Sequence, residues 1–202
     1  MVLKYIFISL ILVFSLSSSS FAQDEIPEDV VVGGKAKCVI NGRASFRRFI
    51  ADGNRLLILQ AGEFSKGSIS IQSIFENKRR SNDVNILALF GVIEDADSFL
   101  NGKTQVFEDS DSDLEIKSVN KKNSEAIEIK NQDKEGLRSK LVGRIKITNS
   151  DSDKVSGITR LNFERTFLVE GDEPNLTFKD NGRVIIICRF SNVPLAIKDL
   201  SF

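Results

Sequence analysis

The stretch Leu141-Val142-Gly143-Arg144-Ile145-Lys146-Ile147-Thr148-Asn149 decides the fold class. Gly143, Ile145 and Ile147 fall on one side of a period-two repeat, which is how a half-buried β-strand reads. A polar turn follows, Ser150 to Asp153. From Val155 to Val169 the repeat resumes, with Leu161, Phe163 and Phe167 in one phase. Two alternating segments across a polar turn predict a hairpin. Working outward, the same grammar recurs. Ala36, Cys38 and Ile40 alternate before Asn41-Gly42, a strong hairpin signal, with Ala44 and Phe46 beyond it. Leu56 to Ala61 follows Asp52-Gly53-Asn54, and Gly67 to Gln72 alternates cleanly. Val84 to Ile93 is apolar enough for a strand buried on both faces, with a short helix as the alternative. Thr104 to Phe107 reads as a strand, and Arg183 to Ser191, after the turn signal Asp180-Asn181-Gly182, as the last one. Sustained helical periodicity is absent, and the chain holds 3 prolines. The expectation is an all-β fold over residues 35–202: a single domain, an antiparallel β-sandwich or a partly closed β-barrel. Around 108–140 the composition turns polar. There Leu114-Glu115-Ile116 and Ile127-Glu128-Ile129, with Asn120 to Ser124 between them, read as a solvated hairpin or an excursion from the main sheet.

Residues 1–22 have the layout of a cleavable signal peptide: Lys4, an apolar run from Tyr5 to Leu16, and Ser20-Phe21-Ala22 before Gln23. The apolar run is shorter than the roughly 20 residues a spanning helix needs. Residues 23–34, with Pro27 and Gly33-Gly34, read as a flexible leader. The expected location is secreted, periplasmic or cell-envelope.

Loss of the signal removes Met1 and Tyr5, the sole Met and Tyr, from a chain with no Trp and no His. Without His there is no Ser-His or Cys-His nucleophile pair and no His-ligated zinc. Without Trp and Tyr, sugar stacking and the aromatic girdles of a membrane barrel lose their usual residues. The ending Leu200-Ser201-Phe202 resembles the terminal signal of outer-membrane barrels, but Pro194, Lys198 and Asp199 interrupt the pattern. After cleavage 27 basic side chains face 28 acidic ones, so net charge predicts no footprint for nucleic acid or an anionic membrane. The expected product is not an integral membrane protein.

Several segments together resemble uncharacterised secreted or lipoprotein-type β-domains of Gram-negative envelopes. They are Val39-Ile40-Asn41-Gly42, Gly67-Ser68-Ile69-Ser70-Ile71, Gly143-Arg144-Ile145-Lys146-Ile147-Thr148, Val155-Ser156-Gly157-Ile158 leading to Leu161-Asn162-Phe163, and Asn181-Gly182-Arg183-Val184-Ile185-Ile186 leading to Phe190. The chain departs from that pattern in lacking a lipobox cysteine and in its longer polar segment from Glu108 to Lys140. The resemblance implies an envelope location and a β-fold, and no catalytic residues.

Two groups of side chains could carry chemistry. Cys38 shares its face with Ala36 and Ile40, and Cys188 with Val184, Ile186 and Phe190. Both therefore point inward, and in an oxidising compartment they are expected to form a disulfide; two buried thiols are the alternative. Asp109, Asp111 and Asp113 resemble the opening of a calcium loop, but its glycine and closing glutamate are replaced by Leu114 and Asn120. A turn of solvated aspartates fits better, and no cofactor is expected. In Ser65-Lys66 and Ser139-Lys140 the neighbours point to opposite faces of a strand, so neither reads as a dyad. The functional expectation is a non-catalytic binding or structural module with an unidentified protein or small-molecule partner. A calycin-like carrier of a small apolar ligand is the alternative.

Overall fold

The computed structural model describes residues 31–42, 48–110 and 112–199. The expected signal peptide, most of the leader, Ala44, Phe46, Asp111 and the terminal Leu200-Ser201-Phe202 lie outside them.

In chain order the elements are β1 (Lys35–Asn41), β2 (Phe49–Ala51), β3 (Gly53–Ala61), β4 (Phe64–Glu76), β5 (Arg80–Ile93), α1 (Ala96–Leu100), β6 (Gln105–Ser110), β7 (Ser112–Asn120), β8 (Glu125–Lys130), β9 (Leu141–Ser150), β10 (Lys154–Glu170) and β11 (Thr177–Asp199). The strands form one sheet in the order β2-β1-β11-β3-β4-β5-β7-β8-β10-β9-β6. Because β10 also pairs with β11, the middle of that order closes into a ring, and the fold is all-β with one domain. The pairings are antiparallel except β3 with β11, where Leu56–Gln60 runs parallel to Leu195–Asp199.

The two flanks fold over the ring instead of spreading from it. On one side Phe49 of β2 stacks on Phe75 of β4 at 6.3 Å, and Ser73 Oγ donates to the Ile50 carbonyl at 2.8 Å. On the other, the Phe107 ring of β6 lies 5.3 Å from Phe90 of β5. Helix α1, capped by the Asp95 carboxylate accepting from Ser98 N–H at 2.8 Å, adds Phe99 to that cluster, 5.9 Å from Phe90. The inward positions of both halves join one apolar core.

Three cross-strand pairs in this core set a ring on a glycine: Gly67 opposite Phe90, Gly143 opposite Phe107, and Gly157 opposite Phe190. A Cβ on Gly67 would stand 2.2 Å from the Phe90 ring, and one on Gly143 would stand 2.2 Å from the Phe107 ring. On Gly157 it would meet the Lys146 carbonyl at 2.3 Å and the Phe190 ring at 2.6 Å. Mid-strand glycine weakens a strand; here a large ring occupies the missing side chain's space and restores apolar burial.

Three expectations need correcting. Val84–Ile93 is a strand, but it buries one face: Val84, Ile86, Ala88 and Phe90 point inward, while Asp83 and Asn85 are exposed and Leu87 and Leu89 half-buried. Of the two readings of the polar segment around 108–140, the hairpin is present as β7 and β8 and the excursion is not, because the segment does not leave the sheet. Strands β7 and β8 bridge β5 to β10, and Leu114, Ile116 and Ile129 join the core. Asp180-Asn181-Gly182 is no turn. The strand runs through it as a bulge, with Gly182 at φ +76° and the pairing register shifting opposite Thr166. Asn181 Nδ2 donates to Thr166 Oγ1 (2.9 Å), which donates to the Gly182 carbonyl (2.8 Å). Turn-forming residues here supply a left-handed kink inside a strand.

Candidate functional site: the outer face of the sheet

Cys38 and Cys188 are directly opposed on β1 and β11, fully buried, and joined in a disulfide with Cα atoms 4.1 Å apart. The expected pairing is present. Such bonds form and persist in oxidising compartments. The disulfide lies in the core with no exposed sulfur, so its role is to tie two strands.

The acidic stretch is distributed over separate ion pairs. Asp109 accepts from Lys140 Nζ at 2.8 Å. Arg138 forks onto Asp113 with contacts of 2.9 and 3.3 Å. Among the described residues no group of three or more His, Cys, Asp or Glu could hold a metal ion. Beside Asp113 a shallow polar cleft of about 210 Å³ opens over Glu115, Lys130 and Gln132. Its floor is Asn131, which is buried and fully engaged: Oδ1 accepts from Leu114 N–H at 3.0 Å, and Nδ2 donates to the Ser112 carbonyl and hydroxyl at 3.0 and 3.2 Å. That network fastens β7 to the chain leaving β8, so the cleft's key polar group serves the fold. Ser65 is buried beside an exposed Lys66, as alternation requires.

What sequence reading missed lies on the outside. Register alignment builds two outward ladders across the flank strands. One runs Ile50 (β2), Lys37 (β1), Arg189 (β11), Ile158 (β10), Lys146 (β9). The next runs Val39 (β1), Ile187 (β11), Arg160 (β10), Arg144 (β9), Val106 (β6). All five cations are exposed. Neither ladder contains an acid; the adjoining row Asn41, Ile185, Asn162, Val142 has none on its four strands and ends at the β6 bulge, where Glu108 and Asp109 are exposed. Lys37 stands directly opposite Arg189, and Arg160 opposite Arg144; like charges so placed destabilise a sheet. None of the five makes an ion pair among the described residues. The expectation that near-zero net charge leaves no basic footprint is thus corrected. Strand pairing gathers cations from distant parts of the chain onto one face, and net charge carries no trace of that. Alternation alone shows that each points outward; the missing signal was which strands lie side by side.

Among the described residues no helix is long and apolar enough to cross a membrane. Comparison with family models, curated proteins and solved structures returned no match.

Proposed function

We propose that the chain is a non-catalytic binding module of the bacterial envelope that works through its outer surface. The observation carrying this is the filled interior. Three phenylalanine rings lie directly on glycines of the opposing strand, and Phe90, Phe99 and Phe107 pack together where a ligand-holding barrel would need space. The disulfide, the signal-like start of the sequence and the resemblance to envelope β-domains support an exported location. The missing His and the engaged carboxylates support a role without catalysis. Native mass spectrometry of protein recovered from its own compartment tests this reading. The expected spectrum shows the bare chain mass with the disulfide closed. A stoichiometric small apolar molecule travelling with the protein would replace the module reading with that of a calycin-like carrier.

A further inference from the structure

We infer that the face built by β1, β11, β10 and β9 docks on a membrane surface carrying anionic phospholipids. The inference rests on the proposal above that the outer surface is the working one.

Five exposed cations, Lys37, Arg144, Lys146, Arg160 and Arg189, occupy two neighbouring ladders. Strands lie about 4.8 Å apart, and same-face residues along a strand about 6.7 Å apart, so each cation sits within about 10 Å of another. That is about one Debye length at ordinary salt, so their fields add. A sheet that places Lys37 against Arg189 and Arg144 against Arg160, with no carboxylate between, gives up stability. A polyanion laid across the ladders removes that penalty, so charge complementarity names the sign of the partner.

The remaining ladder positions name its kind. Ile50, Ile158, Ile187 and Val106 are aliphatic and 58%, 40%, 37% and 55% exposed. They alternate with the cations and can enter the apolar boundary beneath the headgroups while the guanidinium and ammonium groups stay at phosphate level. No aromatic ring stands in either ladder, so the face lacks the stacking platform with which proteins usually hold single-stranded nucleic acid. The same absence counts against sugar rings. A broad sheet face of cations and branched aliphatics suits a fluid, laterally adaptable surface better than a single polymer strand.

The test is co-sedimentation of the disulfide-intact protein with vesicles of phosphatidylcholine alone or of phosphatidylcholine with about a third phosphatidylglycerol. The double variant K37E/R144E is run in parallel. Each change turns a like-charge cross-strand pair into an opposite-charge one, so the fold is not at risk; circular dichroism and the closed disulfide confirm it. Each basic residue near an anionic surface contributes about 1 kcal/mol, which is about fivefold in partitioning. Losing two cations is therefore expected to weaken binding about 25-fold, and the added acids weaken it further. K134E, a reversal at an exposed lysine outside the ladders, should leave binding unchanged. Any contribution of the apolar run Tyr5–Leu16 would appear equally on neutral vesicles, so the difference between vesicle types is the readout. Equal binding to both vesicle types, no binding to anionic vesicles at low salt, or binding that K37E/R144E leaves intact would overturn the inference. Retention on a heparin column that K37E/R144E abolishes, without vesicle binding, would overturn it in favour of an acidic polysaccharide. None of these outcomes bears on the mass-spectrometric test of the interior, so a failure of docking and a failure of the module reading are told apart.

Discussion

Across β7 and β8, Glu115 stands opposite Lys130 and Lys117 opposite Glu128, so charge alternates in sign along and across the hairpin. Lys117 reaches Glu115 at 2.5 Å, and Lys130 closes on Glu128 at 2.7 Å. Across β1, β11, β10 and β9 the facing pairs are Lys37 with Arg189 and Arg144 with Arg160. The two outer faces draw on the same residue types in the same period-two pattern. What separates them is register. On the first, neighbours neutralise each other; on the second, charge accumulates and has no internal use. The first face neutralises itself, whereas the second holds like charges side by side at some cost in stability.

The strongest way to break the comparison is to remove the covalent tie beneath the repelling face. Cys38 and Cys188 close a loop with a sequence separation of 150, for which the chain-entropy model assigns about 5 kcal/mol. C38A/C188A is expected to lose stability of that order in denaturant titration. Hydrogen exchange should quicken first in β1 and β11 while β7 and β8 stay protected. Uniform loss of protection would mean that the two faces open as one unit.

Next in size is the packing beneath the ladders. Gly157→Ala pushes a methyl group against the Lys146 carbonyl and the Phe190 ring and should cost about 3 kcal/mol. Gly91→Ala, on β5 in the other half, meets nothing within 4 Å and should change stability by less than about 0.5 kcal/mol. Equal midpoints for the two variants would show that the ring-on-glycine pairs are not under compression.

The charge pattern gives a smaller effect of unusual sign. K37E/R144E should raise stability by about 0.2–1 kcal/mol for each pair converted, measured by thermal or chemical unfolding at low salt. The reversal Glu115→Lys should lower it, since it sets like charges across β7 and β8. A destabilised K37E/R144E would remove the argument that the ladders are held at a cost.

The least effect is expected from acid. Burial opposes ionisation of Glu115, but the hydrogen bond and charge of Lys117, with the charge of Lys130, outweigh it and hold the carboxyl below its ordinary value. A depressed carboxyl stabilises the fold above its unfolded value, about 4.3, and that contribution fades as pH falls through the lower folded value. Stability of the native chain should therefore decline below about pH 4 more steeply than that of Glu115→Gln. Parallel curves would mean that the carboxylate has no net role in the folded state.

Much of the fold is legible from alternation. Inward Gly143, Ile145 and Ile147, and the inward-facing cysteines of the first and last strands, follow from counting by twos. The pieces that were not legible share one cause: they depend on which strands become neighbours. Strands β7 and β8 read as a solvated hairpin or an excursion because their outward Asp113, Glu115, Lys117, Glu128 and Lys130 outnumber the inward Leu114, Ile116 and Ile129. The Asn181-Gly182 signal was real, but Thr166 on the opposite strand absorbs it as a bulge. The basic ladders were invisible because Lys37 and Arg189 come from opposite ends of the described chain.

Strand β11 holds a further consequence, in time rather than in space. It alone pairs with β1, β10 and β3, and those three edges have no common partner until it arrives. A chain emerging from its amino terminus must therefore leave β1 and β3 each with a bare edge until β11 follows. Closure then joins the most distant segments in one late step, a topology associated with slow, cooperative folding.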